Sequence, residues 1–151
     1  MPTYAVVRRS LSLLAVALVA MSLAACGGGT TSPDTASQVT TSLPTQPFSN
    51  LAPFEVGFAE VTINGTGTLS STADWTFATN DIDIYVTPPS CRAADGAELA
   101  GCTIVGRTTA VTTKPEQLSV LVSRGNYRVW VANFGPSAET GTLRMAATVT
   151  Q

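Results

Sequence analysis

The sequence predicts an all-β fold, an antiparallel β-sandwich, and three observations support that prediction. After Pro53, short runs of alternating apolar and polar residues are separated by turn residues, which is the pattern of half-buried strands. No stretch of this region keeps the period of an amphipathic helix. The region is rich in threonine, which favours strands, and several short strands in about a hundred residues indicate two packed sheets.

Alternation along the predicted strands assigns side chains to the core. The strands are expected at residues 55–63, 67–71, 74–79, 81–87, 102–111, 117–123, 126–133 and 140–150. Because aspartates belong on the wet face, the fourth strand should direct inward Ile82, Ile84 and Val86. Its expected solvent-facing set is Asp81, Asp83, Tyr85 and Thr87. The other predicted core residues are Leu118, Val120, Val122, Tyr127, Val129, Val131, Leu143, Met145, Ala147 and Val149, with Trp75 and Phe77 capping the core.

The first predicted strand has an ambiguous parity. Val56 and Phe58 share one face, whereas Val61 and Ile63 share the other. A bulge near Ala59 would turn both pairs toward the core.

Residues 1–25 have the three-part plan of a signal peptide, with Arg8 and Arg9 in the head and an apolar run over residues 11–25. That run spans roughly 22 Å as a helix, which is short of the roughly 30 Å hydrocarbon core of a bilayer. An export signal is therefore favoured over a permanent transmembrane helix.

Cys26 follows the signal directly, in the sequence Leu23-Ala24-Ala25-Cys26. This sequence resembles the lipobox of bacterial lipoproteins, which implies a Cys26 that is acylated, for example with palmitate, and becomes the mature N-terminus. The alternative is an ordinary secretory peptide with a cysteine nearby. In a host with two membranes, Gly27 is not the aspartate that resembles an inner-membrane retention signal, so outer-membrane anchoring is expected.

Residues 26–53 are predicted to be a flexible linker, because they contain four prolines and many Ser and Thr residues without hydrophobic periodicity. A flexible chain of this length reaches about 29 Å. The predicted organisation is therefore a signal peptide at 1–25, a lipidated cysteine and linker at 26–53, and a β-sandwich domain at 54–151.

Three short motifs follow one another in the folded region: Asp-Ile-Tyr-Val at 83–86, Gly-Asn-Tyr-Arg-Val-Trp-Val at 125–131 and Gly-Thr-Leu-Arg-Met at 141–145. Together they resemble the bacterial pre-peptidase C-terminal (PPC) domain over roughly residues 66–149. The resemblance implies a jelly-roll-like β-sandwich with binding or targeting roles, sometimes with calcium. No peptidase accompanies the domain in this chain.

Cys91 and Cys102 remain as a pair once Cys26 is lipidated, and an even pair in an exported protein is most simply a disulfide. The loop that it would close stabilises the fold by roughly 2.8 kcal/mol in the chain-entropy model. A redox pair or metal site is the alternative, although CxxC spacing and further Cys or His ligands are absent.

Asp81 and Asp83 lie on one face of a predicted strand, with Cα atoms about 6.6 Å apart. Oxygen ligands in this arrangement could hold calcium with Asn80 or a loop carbonyl, whereas the alternative is a solvated face. The spacing is also near that of the carboxyl pair in inverting glycosidases. On an exposed sheet, however, no cleft is expected to raise the pKa of either aspartate.

Alternation directs Tyr85, Arg128 and Trp130 outward, so they form a possible binding surface for a sugar ring or for an apolar anchor of a partner. The alternative is that the linker, or the loop between Cys91 and Cys102, folds over this face and buries them.

Composition limits the function. The chain has no histidine and a net charge of −2, so the commonest general base is missing and binding of nucleic acid by a basic surface is disfavoured. No catalytic residue is therefore predicted.

The expected function is that of a non-catalytic envelope lipoprotein that displays a β-sandwich binding or structural module, with no cofactor unless calcium binds. The expected partners are the membrane, through the lipid anchor, and a polysaccharide or an envelope protein. A calcium-dependent binding or targeting module is the alternative, and an envelope hydrolase is less favoured.

Overall fold

The computed structural model describes residues 36–93, 97, 99–111 and 113–151. The predicted signal peptide, the predicted lipidation site Cys26 and the first part of the predicted linker lie outside the described residues. The described strands are β1 (Gln38–Ser42), β2 (Gln46–Leu51), β3 (Val56–Ile63), β4 (Gly67–Trp75), β5 (Ile82–Thr87), β6 (Gly106–Arg107), β7 (Glu116–Val122), β8 (Gly125–Asn133) and β9 (Glu139–Thr150). None of the described residues belongs to a helix that could span a bilayer.

The strands form two antiparallel sheets. In the first sheet the order is β1-β9-β4-β7, with β2 also pairing β9 beyond the end of β1. In the second sheet the order is β3-β8-β5-β6. The chain passes from one sheet to the other between most consecutive strands, and the neighbour orders 2-9-4-7 and 3-8-5-6 are those of a jelly roll. The predicted jelly-roll-like antiparallel β-sandwich is therefore confirmed.

The core lies between the inner faces of the two sheets. The inward residues that alternation predicts for β5, β8 and β9 all belong to it or pack against it, and Trp75 is buried as predicted. Leu118 and Val120 of β7 are partly buried and pack against this core. The prediction for Phe77 is wrong: its side chain is 53% exposed, because β4 ends at Trp75 and Phe77 lies in the following loop.

The first predicted strand needs no bulge. β3 pairs with β8 in continuous register from Val56 to Ile63. Ala59, Val61 and Ile63 face the core, whereas Phe58 lies on the outer face and is 46% exposed. The predicted bulge near Ala59 is therefore wrong, and the outer-face residues of β3 are available for contacts outside the core.

The linker prediction is wrong for residues 38–51, which form β1 and β2. Both strands pair with the long β9, and Leu43, Phe48 and Leu51 reach the core. Pro47 is tolerated because β2 lies at the edge of its sheet, where a ladder hydrogen bond is not required on both sides. The ring of Phe48 packs on Gly141, where an added Cβ would come within 2.5 Å of it.

Two other strand predictions differ from the structure. The separate strands expected at 67–71 and 74–79 are one strand, β4, in which Ser71 points inward and is 2% exposed. The strand expected at 102–111 is reduced to β6, two residues long. Val105 and Thr108 flank β6 and still donate backbone hydrogen bonds to Val86 and Ile84 of β5.

Glu139 organises one end of the sandwich. Its carboxylate is only 1% exposed, and it accepts hydrogen bonds from the backbone N–H groups of Thr76 and Phe77, at 3.0 and 3.1 Å. It also accepts one from Nδ2 of Asn80, at 2.7 Å. A buried acid at the start of β9 thus holds the loop that joins β4 to β5.

Asn133 extends this buried network. Its Nδ2 donates to the carbonyls of Leu51 and Ser137, at 2.9 and 2.8 Å. Asn80 Nδ2 also donates to the Ser137 carbonyl, at 2.9 Å. The end of β2 and the turn after β8 are therefore joined to the β4–β5 loop through side-chain amides.

Candidate functional site

The outer face of the second sheet is covered where β5 runs. All six residues of β5 are buried, including Asp83, Tyr85 and Thr87, which alternation places on the outer face. The cover includes Cys91, Ala97 and Leu99 from the chain after β5, which form a second apolar cluster with the outer face of the sheet. Its buried members are Tyr85, Cys91, Ala97, Leu99, Trp130 and Ala132, with Val56, Cys102, Ile104 and Phe134 packed against them.

The predicted stacking surface is therefore not exposed. Tyr85, Arg128 and Trp130 are 7%, 9% and 2% exposed. Their positions on the outer side of the sheet are as predicted, but the alternative, in which the segment between Cys91 and Cys102 buries them, is confirmed. Binding through these three side chains would require that segment to leave.

The disulfide between Cys91 and Cys102 is confirmed, with 5.3 Å between the Cα atoms. It joins the two ends of the covering segment. Cys91 is buried in the second cluster and Cys102 packs against it, so the bond also adds apolar contacts over Trp130. Its role in the structure is to fix this cover to the sheet.

Arg128 is held by partners on three sides. Its Nε and Nη2 donate to Oε1 of Glu60, at 3.0 and 2.8 Å, and its Nη1 donates to the Cys91 carbonyl, at 2.6 Å. The guanidinium lies 4.5 Å from the ring centroid of Phe58 and 5.8 Å from that of Trp130. Its charge is neutralised within the protein by Glu60.

A polar depression lies beside the covering segment, on the part of the outer face that the segment leaves open. Its volume is about 190 Å³, and its lining includes Pro89 from the chain before Cys91, Glu60 and Thr62 from β3, and Asn126 from β8. Thr62 Oγ1 donates to Asn126 Oδ1 at 2.9 Å across the two strands. The depression therefore combines a carboxylate, a hydroxyl and an amide on rigid strand positions.

Phe58 borders this polar group at the next outward position of β3. Its ring centroid is 4.8 Å from that of Trp130, and nearly half of its side chain is exposed. Phe58 is thus an accessible aromatic group on the outer face, whereas Tyr85 and Trp130, which the sequence predicts to be exposed, are buried.

Asp81 and Asp83 differ in their surroundings. Asp83 is 7% exposed, its Oδ2 accepts a hydrogen bond from the Tyr85 hydroxyl at 3.3 Å, and its Oδ1 is buried with no partner among the described residues. Burial, and then the nearby Asp81 carboxylate, raise the pKa of Asp83 to about 6. Burial also raises the pKa values of Asp81 and Glu116.

The solvated face expected for this pair is therefore wrong for Asp83, and so is the expectation that nothing would raise its pKa. The cause is burial, because Asp83 is almost entirely removed from water and the ionised carboxylate loses its hydration. Within the described part of the chain, no group of three Asp, Glu, Cys or His residues is placed to hold a metal ion.

Comparisons with known proteins identify no family. No family model matches the chain, and no curated protein matches it. Several solved structures are similar in fold. A periplasmic inhibitor of g-type lysozyme from Aeromonas hydrophila is 11% identical, with 77% of this chain and 90% of the inhibitor covered and a TM-score of 0.42.

Two further similar structures have other functions. A carbohydrate-binding module from Cellvibrio mixtus lichenase 5A is 10% identical, covers 73% of this chain and 95% of its own, and has a TM-score of 0.42. A chain from the disulfide-linked pili of Bacillus endospore appendages is 17% identical, covers 86% and 98%, and has a TM-score of 0.44. At these values the similarities assign no ligand or activity to this chain.

Sequence reasoning missed the residues of the depression, although part of the signal was present. Once Val61 and Ile63 define the inner face of β3, Phe58, Glu60 and Thr62 must point outward. The partner Asn126 could not be identified from its own strand, because its place opposite Thr62 depends on the pairing of β3 with β8.

Proposed function

We propose that this chain is a non-catalytic lipoprotein of the bacterial cell envelope, in which an acylated Cys26 anchors a β-sandwich binding module of the PPC type. The observation that carries this proposal is the lipobox sequence Leu23-Ala24-Ala25-Cys26 after a basic head and an apolar run. Two or more acyl chains supply the stable anchoring that one chain does not. Gly27 favours the outer membrane in a host that has one.

A binding role is supported by the organisation of the outer face of the second sheet. Rigid strands present Glu60, Thr62 and Asn126 around a depression. Phe58, at the outward position of β3 before Glu60, adds a ring that is 46% exposed outside that depression. Preorganised polar and aromatic groups on strands lose little entropy when a ligand binds. A polysaccharide or an envelope protein is the partner that we propose.

Cys26→Ser is expected to abolish acyl labelling and to release from membranes the fraction of protein that is still exported, because the thioether carries the anchor. Metabolic labelling with a palmitate analogue, membrane fractionation and the intact mass of the mature protein measure this. The double variant Cys91→Ser, Cys102→Ser is the control, and it should remain labelled. A mature protein with an unacylated N-terminus at any other residue would end the lipoprotein proposal.

A calcium-dependent binding module is the second candidate, and the buried Oδ1 of Asp83 favours it because this oxygen has no partner among the described residues. Asp81, which immediately precedes β5 and lies two residues before Asp83, would supply a second oxygen ligand, and backbone carbonyls would complete the coordination that calcium requires. No cluster of three acidic, Cys or His side chains supports a stronger site in the part of the chain described here.

Calcium at millimolar concentration is expected to raise the Tm of the EDTA-treated protein if this second candidate is right, since a ligand that binds only the native state stabilises it. The shift should vanish in Asp83→Asn and persist in Asp74→Asn, whose carboxylate instead contacts Lys114 at 3.1 Å. Differential scanning calorimetry measures it. An unchanged Tm in the native protein excludes calcium binding at Asp83.

A further inference from the structure

The depression beside the covering segment has the chemistry of a neutral sugar site. We propose that Glu60, Thr62 and Asn126 bind one ring of a neutral saccharide in the depression, with Pro89 in its lining, and that Phe58, outside the depression, contacts the continuing saccharide chain. This inference rests on the proposed binding role and names its ligand class and its residues. Four features of the site support it: its charge, its hydrogen-bonding groups, its apolar surfaces and its size.

The charge of the site favours a neutral ligand. The guanidinium of Arg128 is already paired with Oε1 of Glu60 and donates to the Cys91 carbonyl, so it offers no unpaired positive charge to a phosphate or a carboxylate. The second oxygen of Glu60 is negative and its side chain is 62% exposed. An anion at this position would meet that oxygen and be repelled, whereas a hydroxyl group would donate to it.

The site offers both hydrogen-bond acceptors and hydrogen-bond donors, as neighbouring sugar hydroxyls require. Thr62 gives its proton to Asn126 Oδ1, so its oxygen keeps acceptor capacity. Asn126 Nδ2 then has two N–H donors, and Glu60 Oε2 is an acceptor. Because Glu60 and Asn126 occupy diagonal positions on paired strands, their Cα atoms are roughly 7 to 8 Å apart, which suits two groups on one ring.

The apolar part of the site suits the C–H face of a pyranose ring. Phe58 is 46% exposed although its ring already contacts Trp130 and Arg128, so these contacts hold the ring in place. Pro89 supplies a second apolar group with little conformational freedom. A ligand with one apolar face and a polar rim is complementary to this arrangement.

The size of the depression limits what it holds. Its volume of about 190 Å³ is smaller than the roughly 300 to 1,000 Å³ of sites that enclose a drug-sized molecule. One ring of a chain is therefore bound, while the remaining rings extend over the open face of the sheet. Modest affinity for a polymer presented at high local density is the expected consequence.

The test uses the mature lipoprotein in a detergent without a sugar headgroup. Cellotriose, maltotriose and tri-N-acetylchitotriose serve as neutral probes, and trigalacturonate serves as the anionic probe. We expect at least one neutral probe to shift the backbone amide NMR signals of Glu60, Thr62 and Asn126 and to change the fluorescence of the adjacent Trp130. Trigalacturonate should not produce these shifts.

Asn126→Ala and Phe58→Ala should each weaken binding by about tenfold, because the first removes a contact with the ring in the depression and the second removes a contact with the continuing saccharide chain. The matched control is Ser119→Ala, which removes one member of the exposed Ser70–Ser119 hydroxyl pair on the other sheet, at 3.1 Å, and should leave affinity unchanged. Circular dichroism of all three variants confirms that they fold.

Each outcome decides the proposal. Binding of a neutral probe that Asn126→Ala and Phe58→Ala leave intact overturns the site, although the protein would still be a saccharide-binding lipoprotein. The absence of shifts with every neutral probe overturns the ligand class, and capture of an envelope protein through the same residues would then identify a protein partner. Neither result affects the acylation of Cys26, which is measured independently.

Discussion

Glu139→Ala is expected to lower the free energy of unfolding by about 3 to 5 kcal/mol, which is the largest single effect that we predict. The substitution leaves the N–H groups of Thr76 and Phe77 and the amide of Asn80 buried without their acceptor. Removing one partner of a buried charged hydrogen-bond group costs this much because the remaining groups stay desolvated. The loop between β4 and β5 should lose its order first.

Glu139→Gln removes the negative charge of the side chain but keeps its shape. The amide keeps one acceptor oxygen but presents N–H groups to at least one of the three donors, so an intermediate loss of about 1 to 3 kcal/mol is expected. Glu55→Ala is the matched control, because the Glu55 carboxylate also accepts a backbone hydrogen bond, from Ala52 at 2.9 Å, but at an exposed position. Its loss should stay below about 1 kcal/mol.

Urea denaturation followed by tryptophan fluorescence measures all three variants, with the transition midpoint compared at constant m-value. A Glu139→Ala variant that unfolds within about 1 kcal/mol of the native protein would show that the buried network does not hold this end of the sandwich. Hydrogen exchange at Thr76 and Phe77 gives the local readout, and exchange there should accelerate even where global unfolding is slow.

The fold was predictable because most strands alternate strictly. β9 buries Leu143, Met145, Ala147 and Val149 in turn, and the intervening residues lie outside. The same rule placed Trp130 correctly on the outer side of β8, yet it could not predict that this side is buried. Alternation reports which face of a sheet a residue occupies, whereas exposure depends on what packs against that face.

The segment between β5 and β6 is where local pattern and tertiary structure diverge. Residues 102–111 alternate like a strand, but the disulfide fixes Cys102 beside Cys91. The chain therefore covers the outer face before it joins β5, and only Gly106–Arg107 pair as β6. Long-range constraints of this kind leave no periodic signal in the sequence.

β1 and β2 were missed for a different reason. Prolines and Ser/Thr residues between 38 and 51 have the composition of a linker, and these strands each pair with only one neighbour, β9. An edge strand needs few apolar residues, so Leu43, Phe48 and Leu51 are sufficient to attach this region to the core. Composition alone does not separate such a strand from a flexible tether.

Asp83→Asn is expected to stabilise the protein by about 1 to 3 kcal/mol at about pH 7.5 and to leave its stability at about pH 4 nearly unchanged. Burial, and then the charge of Asp81, raise the pKa of Asp83 to about 6 in the folded protein, whereas an aspartate in an unfolded chain has a pKa of about 3.9. The folded state therefore holds this proton more tightly than the unfolded state does.

The direction of the pH dependence follows from this difference. The stabilising contribution of protonated Asp83 is fully present below about pH 3.9 and is lost as the pH rises through about 6. Above that pH the ionised carboxylate remains buried, with the Tyr85 hydroxyl on Oδ2 and no partner on Oδ1 among the described residues. Asparagine does not ionise, so it avoids that cost while its oxygen can still accept from Tyr85.

Urea denaturation of the native protein and the variant, in EDTA and at several pH values between about 4 and 8, tests this prediction. The two stability curves should separate between about pH 4 and pH 6 and then run in parallel. Some pH dependence should remain in the variant because burial also raises the pKa values of Asp81 and Glu116.

Asp74→Asn is the control: its contact with Lys114 is exposed, so its effect should stay below about 1 kcal/mol at every pH. If Asp83→Asn instead destabilises the protein at about pH 7.5, the ionised carboxylate has a favourable role in the native state, as calcium binding or a stronger hydrogen bond would give it.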